Sequence, residues 1–476
     1  MLRSCEADII VALAGIKARQ KAWSATKDRF GLPVGCGADY HLIMEHNTKT
    51  LRLLGLFCAV WAGCGDDDSS ASNANDAGAG PAKPACSVTI SPGSDDQSAL
   101  QGALIDAKSG DTVCLAAGRF KLTGQLSLAT ARVTVRGVAD SVLDFSEQTS
   151  GANGLELSAD HDTLDTLRIE NPKGDGVRTT EVDYPTIRKV RVEWTRGPDA
   201  ANGGYGIYPV TSSHVLIDDC YAAGASDTGI YVGQSHDIVI RNSEATGNVA
   251  GIEVENSTDA EVFGNHLHGN TAGILIFNLP GLSVKDGKRA NVHDNRVEDN
   301  NLENFAAAGN IVHDVPAGTG MFILASDENE VHANMIKGHD SVGLAVLSWY
   351  AAQRDADGKK DAMFDWYPER NYVHDNTFSN NGKTPHGTAA TIAELVGIQM
   401  NGDLEWDGIV DSDKLMGAPA GTSDSAPVPP ESLRNCFKSN GDASFMNIDL
   451  EQFGKRKSAD ITPYECTRPA LAPIVL

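Results

Sequence analysis

The chain has 476 residues, 41% of them hydrophobic, and a formal net charge of −25. An acid surplus of that size argues against nucleic acid as a partner, and against polyanionic sugars unless a cation or a local basic patch intervenes. A solubilising acidic surface is the plainer account of it and the one preferred. At about 150 residues per ordinary domain the length suggests three domains, but an internal repeat sets that estimate aside, because a solenoid grows by adding coils.

Residues 1–43 precede a second methionine, Met44, and read as upstream sequence translated from a mis-called start. Within 44–63, Lys49 and Arg52 give a basic start, Leu51 to Val60 an apolar run, and Ala62-Gly63 a small-residue cleavage site. This resembles a bacterial lipoprotein signal with Cys64 as the lipidated residue. Trp61 departs from the usual Leu, Val or Ile there, and a plain secretory signal is the alternative. The run is too short for a spanning helix, so the membrane is reached by a lipid anchor only. Residues 64–85, rich in Asp, Ser, Ala and Gly, read as a flexible tether.

Residues 86–132 read as an N-terminal cap. Ala99, Leu100, Ala103, Leu104 and Ala107 form one apolar stripe at helical spacing, Gly110 ends the helix, and strands follow at Thr112–Leu115 and 119–122. Such a helix would cover the open end of a stacked core.

Over 133–380 a phrase recurs about every 22 residues, anchored on glycines such as Gly206, Gly229, Gly251 and Gly273. After each anchor the first and third residues are mostly apolar (Ile207/Pro209, Ile230/Val232, Ile252/Val254, Ile274/Ile276). The residue between them varies: Tyr208, Tyr231, Glu253, Leu275, then Phe322 and Ala345. Alternation with period two is a strand with one buried face. A second strand follows in each unit, as at Val215-Leu216-Ile217. Three short strands and tight turns fill such a unit, and the 3.6-residue pattern of helical repeats is missing. The expected fold is all-β, a right-handed parallel β-helix. Extra residues at 196–205, 279–289 and 301–318 are expected to leave one edge as loops, the first and last walling a common face. Residues 381–476 read as a last coil and an irregular C-terminal cap.

On that face Arg178, Tyr208, Tyr231 and Glu253 are expected to point outward in one column, coils stacking about 4.8 Å apart. Two phenols and a carboxylate would then lie within about 10 Å, the scale of one or two sugar rings. Tyr208, Tyr231 and Glu253 are therefore candidates for acid/base work, and the phenols could also stack on sugar. Asp199, Tyr205, Asp227, Gln234, Glu255 and Asn256 join them as binding candidates around the adjoining turns. The alternative is a solvated face with a tyrosine ladder packing sideways. His313 and Asp314 could overhang the groove. His293, His332 and His374 take equivalent outward places, as a metal ladder or as plain polar strand ends. No cofactor is expected; acidic turns offer oxygens of the kind calcium takes, without an EF-hand or nonapeptide pattern.

Cys86 with Cys114, and Cys436 with Cys466, bracket the two caps. That pairing is the simplest of three and suits an oxidising compartment. Cys220 shares a repeat column with Ser243, Asn265, Asn295, Asn334 and Asn376, so it reads as a buried ladder member rather than a nucleophile. No metal-type cysteine spacing occurs.

The phrases NGGYGIYPV (202–210), SDTGIYVGQS (226–235), NVAGIEVENS (248–257) and TAGILIFNLPGL (271–282) resemble a bacterial family of exported parallel β-helix repeat proteins of the pectate-lyase-like superfamily. The resemblance spans roughly 95–470, including EWDG at 405–408. It implies a place in the bacterial cell envelope, in the periplasm or at the outer surface. A c-type cytochrome-like exported protein becomes a possible partner, since genes for one tend to neighbour the family's. No reaction is assigned to the family. The three aspartates with GHG and RIK, the WiDH stretch and the DPHE motif of polysaccharide enzymes on this fold are all absent, so no catalytic residues carry over. Two functions stay open: a carbohydrate-polymer binder, in one version also a processing enzyme, and a structural module docking an envelope protein.

Overall fold

A computed structural model describes residues 84–476 except 353, 400–401, 416–420 and 423–424. The expectations for the start at Met44, the signal over 44–63 and the lipidated Cys64, with nearly all of the tether, lie outside the described residues.

The strands stack in parallel ladders, each strand pairing with its equivalent in the neighbouring coils. Among the described residues the first-strand sheet has eleven members, from Gly124–Leu128 through Tyr205–Val210, Thr228–Gly233, Ala250–Glu255, Ala272–Phe277, Thr319–Leu324 and Val342–Leu347 to Leu404–Trp406 and Phe445–Asn447. Register is strict: Ile230 pairs Ile252, Ile252 pairs Ile274, and Ile274 pairs Met321. These residues point inward and are 0–1% exposed.

The repeat glycine has a steric cause. A Cβ on Gly251 would stand 2.7 Å from the carbonyl oxygen of Gly273 in the next coil, and the other repeat glycines face the same carbonyl in turn. Only glycine lets the coils approach that closely.

Side-chain amides join the coils at the turns. Ser243 Oγ accepts from the Cys220 N–H at 3.0 Å, and Asn265, Asn295, Asn334 and Asn376 continue the series. Each amide satisfies a buried backbone N–H that would otherwise be left unpaired. Cys220 is a buried free thiol in this series, and burial raises its pKa to about 12, which disqualifies it as a nucleophile.

The cap helix spans Asp96–Asp106, with Asp95 accepting from the Ser98 N–H at its start. Leu100 and Leu104 are buried on the core, with Ala103 and Ala107 partly so. Ala99 is exposed, outside the stripe expected of it. Paired strands extend beyond 133–380 at both ends, from Val88–Ile90 to Phe445–Asn447. The EWDG phrase begins within one of these late strands, Leu404–Trp406, with Trp406 in the core. Disulfides Cys86–Cys114 and Cys436–Cys466 close the two ends. They place the body outside the reducing cytoplasm, and no described helix is long and apolar enough to cross a membrane.

Candidate functional site

The outward column of the first-strand sheet runs Ser127, Glu156, Arg178, Tyr208, Tyr231, Glu253, Leu275, Phe322, Ala345, Glu405. Its direction is as expected and its solvation is not. Ser127 is exposed and Glu156, Arg178 and Tyr208 are half-buried, whereas Tyr231 is 2% exposed and Glu253 1%. The expectation of an open tyrosine floor through Glu253 is therefore corrected.

Insertions pack beside this stretch of the face. The segment after Ala272–Phe277 folds back over earlier coils: Asn256 donates to the carbonyls of Leu279 (3.0 Å) and Val284 (2.7 Å) and accepts from the Leu279 N–H. Gln234 Oε1 accepts from both the N–H and the hydroxyl of Ser283. These bonds occupy Asn256 fully and the Gln234 oxygen, so both hold the loop. From the other edge, Ala306 and Val312 of the 301–318 loop pack on Val249. Asp199 is exposed and accepts from the Ala201 N–H within its own loop.

Three rings do come together. Tyr205, Tyr208 and Tyr231 lie with centroids 4.3, 4.6 and 4.9 Å apart. The tyrosine lies flat because Gly233, in the neighbouring outward place, has no Cβ to collide with the Tyr231 hydroxyl. Arg178 stands over the Tyr208 ring, 5.0 Å from its centroid, and bonds Asp175 at 3.2 Å. Beneath the rings lie carboxyls. Tyr205 donates to Asp227 at 3.2 Å, and the Tyr231 phenol lies beside Glu255, where it favours the ionised carboxyl.

Burial dominates the electrostatics here, because a low dielectric penalises the charged form. It raises Asp227 to about 6 and Glu255 to about 7, and holds Asp175 and Glu253 above the ordinary carboxylate range. Burial likewise pushes the Tyr205 and Tyr231 phenols up, so both remain protonated donors. Glu253 Oε1 has no hydrogen-bond partner among the described residues.

The histidines stack as a ladder on the second-strand sheet, His293 to His332 at 4.9 Å and His332 to His374 at 5.0 Å. Their nitrogens are engaged by Glu261 and Asp294, Asn291, and Glu330 and Asp375 respectively. His313 Nδ1 lies 3.0 Å from the Ala306 carbonyl of its own loop, and Asp314 bonds Arg354. Among the described residues two groups bring ligand atoms of the kind a metal takes within 4.8 Å of one another, Asp327 with Asp365 and Glu369, and, on the third-strand face, Glu244 with His266 and His268. Sequence spacing did not single out the latter group, since Glu244 comes from a neighbouring coil.

A family model for a right handed beta helix region matches residues 133–281. The chain is a right-handed parallel β-helix protein. No curated protein matches it in sequence. Among solved structures, the β-helix is similar to the A-module of a mannuronan C-5 epimerase from Azotobacter vinelandii, at 14% identity over 74% of this chain and 91% of that one, TM-score 0.45. It is also similar to endopolygalacturonase I from Stereum purpureum, at 12% identity over 62% and 95%, TM-score 0.41. The tailspike protein of E. coli bacteriophage HK620 is similar at 9% identity over 75% and 62%, TM-score 0.42.

Proposed function

We propose that the β-helix binds a carbohydrate polymer on the open end of its first-strand face, over Ser127, Glu156, Arg178 and Tyr208. The observation that carries this is the half-buried Tyr208 ring, held by Tyr205 and Tyr231 and flanked by Arg178. Four coils span about 14 Å, enough for two or three sugar rings. An aromatic face beside fixed polar groups is the combination that holds a sugar. With a net charge of −25, an uncharged polymer suits the surface better than an acidic one. A processing step would draw on Asp227 and Glu255, whose pKa values near 6 and 7 let a carboxyl give and take a proton close to neutrality. Both are buried, so binding is the function the geometry favours over catalysis.

A glycan array on the purified protein tests the proposal, with Arg178→Ala/Tyr208→Ala as the variant. Retention of one glycan class, lost at least tenfold in the variant with its fold intact, is the expected result. No retention by the native protein, or undiminished retention by the variant, overturns it. Assays for new reducing ends and unsaturated uronates on the retained glycan decide whether it is also processed.

The same proposal places the body in a bacterial envelope on a lipid carried by Cys64, checked by palmitate labelling that Cys64→Ala abolishes. The competing function is a non-catalytic module docking an exported cytochrome-like protein. The burial of Tyr231 and Glu253, which withdraws them from a ligand, supports that alternative. Co-purification of such a partner without glycan retention would favour it.

A further inference from the structure

The C-terminal half of the same face contains a cleft that the polar end does not use. Its floor is Leu275, Phe322 and Ala345, one residue from each of three consecutive coils, with Glu405 on the next. Its roof comes from the 301–318 loop, from Ala351 and Ala352, and from the helix Gly387–Val396. The volume is about 340 Å³. That falls within the range of small-molecule sites and is more than twice the ~150 Å³ that accommodates a benzene. Three coil spacings make it about 14 Å long.

Among the described residues three charged side chains line this cleft: Asp314, Arg354 and Glu405. Asp314 and Arg354 pair with each other at 2.6 Å. Glu405 is 5% exposed, and its Oε2 has no hydrogen-bond partner among the described residues. Its neighbour Asp407 is satisfied by Ser348 and by the Ile409 N–H. Buried polar atoms are almost always paired, so a carboxyl on the wall of a cleft with an unpaired oxygen marks where a ligand atom completes a bond. Burial raises Glu405 to about 8, which makes it a neutral acid near pH 7, able to donate as well as accept. An anionic head would face Asp407, and a cationic one would give up its hydration in an apolar cleft. Apolar walls also make the cleft a poor home for water.

We propose that this cleft binds an elongated lipophilic molecule whose uncharged hydroxyl or carbonyl end hydrogen-bonds to Glu405. The apolar body lies along Leu275, Phe322 and Ala345, replacing side-chain contacts the coils lack there. This site is independent of the glycan-binding end, and either can fail without the other.

The test titrates the full chain with the neutral fluorescent probe N-phenylnaphthylamine and displaces it with decanol, decane or decanoate. Saturable binding is expected, with decanol displacing the probe at least tenfold better than decane or decanoate. Ala345→Trp fills the floor and should weaken probe binding at least tenfold. Ala389→Trp blocks from the half-buried roof helix without touching the sheet, so it stands in if the first variant fails to fold. Glu405→Leu should keep the probe but lose the preference for decanol, and Glu405→Gln should retain that preference. Absence of saturable binding, or full binding by a folded filled variant, overturns the site. Unchanged decanol preference in Glu405→Leu overturns the role of Glu405.

Discussion

The two halves of the first-strand face share a backbone, a register and an inward column, and differ only in what points out. Arg178, Tyr208, Tyr231 and Glu253, successive members of the central outward column, are charged or aromatic; from Leu275 to Leu347 the outward residues are apolar. Inward, Ile207, Ile230, Ile252 and Ile274 pass into Met321 and Leu344 with no change of character. The coil is thus specified by its inside, which leaves the outside free to vary. Both halves are largely withdrawn from solvent, with opposite consequences. In the polar half the burial takes in carboxyls that must then hold their protons, and in the apolar half the roof leaves a cleft with one unpaired acid at its end.

The largest effect expected separates the two columns within one strand. Ile274 and Leu275 are both 0% exposed, but Ile274 is enclosed by the core and Leu275 borders the cleft. Ile274→Ala should cost about 3–4 kcal/mol, and Leu275→Ala about 2, because the side chains around the cleft can relax into the space that Leu275 would leave. Urea unfolding midpoints measure the difference. Equal losses would mean that the cleft is closed in solution.

Stability against pH sharpens the comparison next. Asp227 and Glu255 in the polar half have pKa values of about 6 and 7, and Glu405 and Asp407 beyond the apolar half about 8 and 6. Each lies above its unfolded value near 4, so the folded chain holds protons that the unfolded chain releases. Their stabilisation is complete below about pH 4 and is lost as pH rises through about 6 to 8. His339 acts the other way: burial lowers it to about 4, so its share grows between about pH 4 and 6.5. The carboxyls outnumber it, and the urea midpoint should fall between about pH 6.5 and 8.5. Glu405→Gln should flatten that fall by on the order of 1–2 kcal/mol, and a slope unchanged in the variant would show Glu405 to be ionised when folded.

Much of the fold was legible in the sequence because its cause is local. A Cβ at each repeat glycine would meet the next coil's carbonyl, so the spacing of Gly229, Gly251 and Gly273 reports coil length directly. The Asn column, likewise, marks buried N–H groups in need of acceptors. The site was legible in direction only. Tyr231 is buried in a stretch of the face beside which Asn256 and Gln234 hold a returning loop, and their partners at Val284 and Ser283 no period predicts. The cleft did have a signal. AGILIF, TGMFIL and VGLAVL are apolar on both alternations, which is how a strand covered on both faces reads.

Within the polar half, Tyr231→Phe removes the phenol hydroxyl beside Glu255 and leaves a buried carboxyl less satisfied. The expected loss is about 1–2 kcal/mol at neutral pH, with the Glu255 pKa rising further. Carboxyl resonances followed by NMR would show that rise. An unshifted Glu255 would mean that the phenol is not its partner.

Glu253 stands at the border, between Tyr231 on one coil and Leu275 on the next. It is 1% exposed, burial and the neighbouring Asp227 favour its neutral form, and Oε1 is unpaired among the described residues. A neutral acid with an unsatisfied oxygen contributes little, and an apolar side chain of similar size can replace it without loss. Glu253→Gln should change stability by less than about 0.5 kcal/mol, and Glu253→Leu should leave it unchanged or raise it by up to about 1. Neither should disturb glycan retention at Arg178 and Tyr208, because burial already withdraws Glu253 from that open end. A loss above about 3 kcal/mol in Glu253→Leu would identify an ionised, paired carboxylate. The boundary between the halves would then move one coil toward the C-terminus.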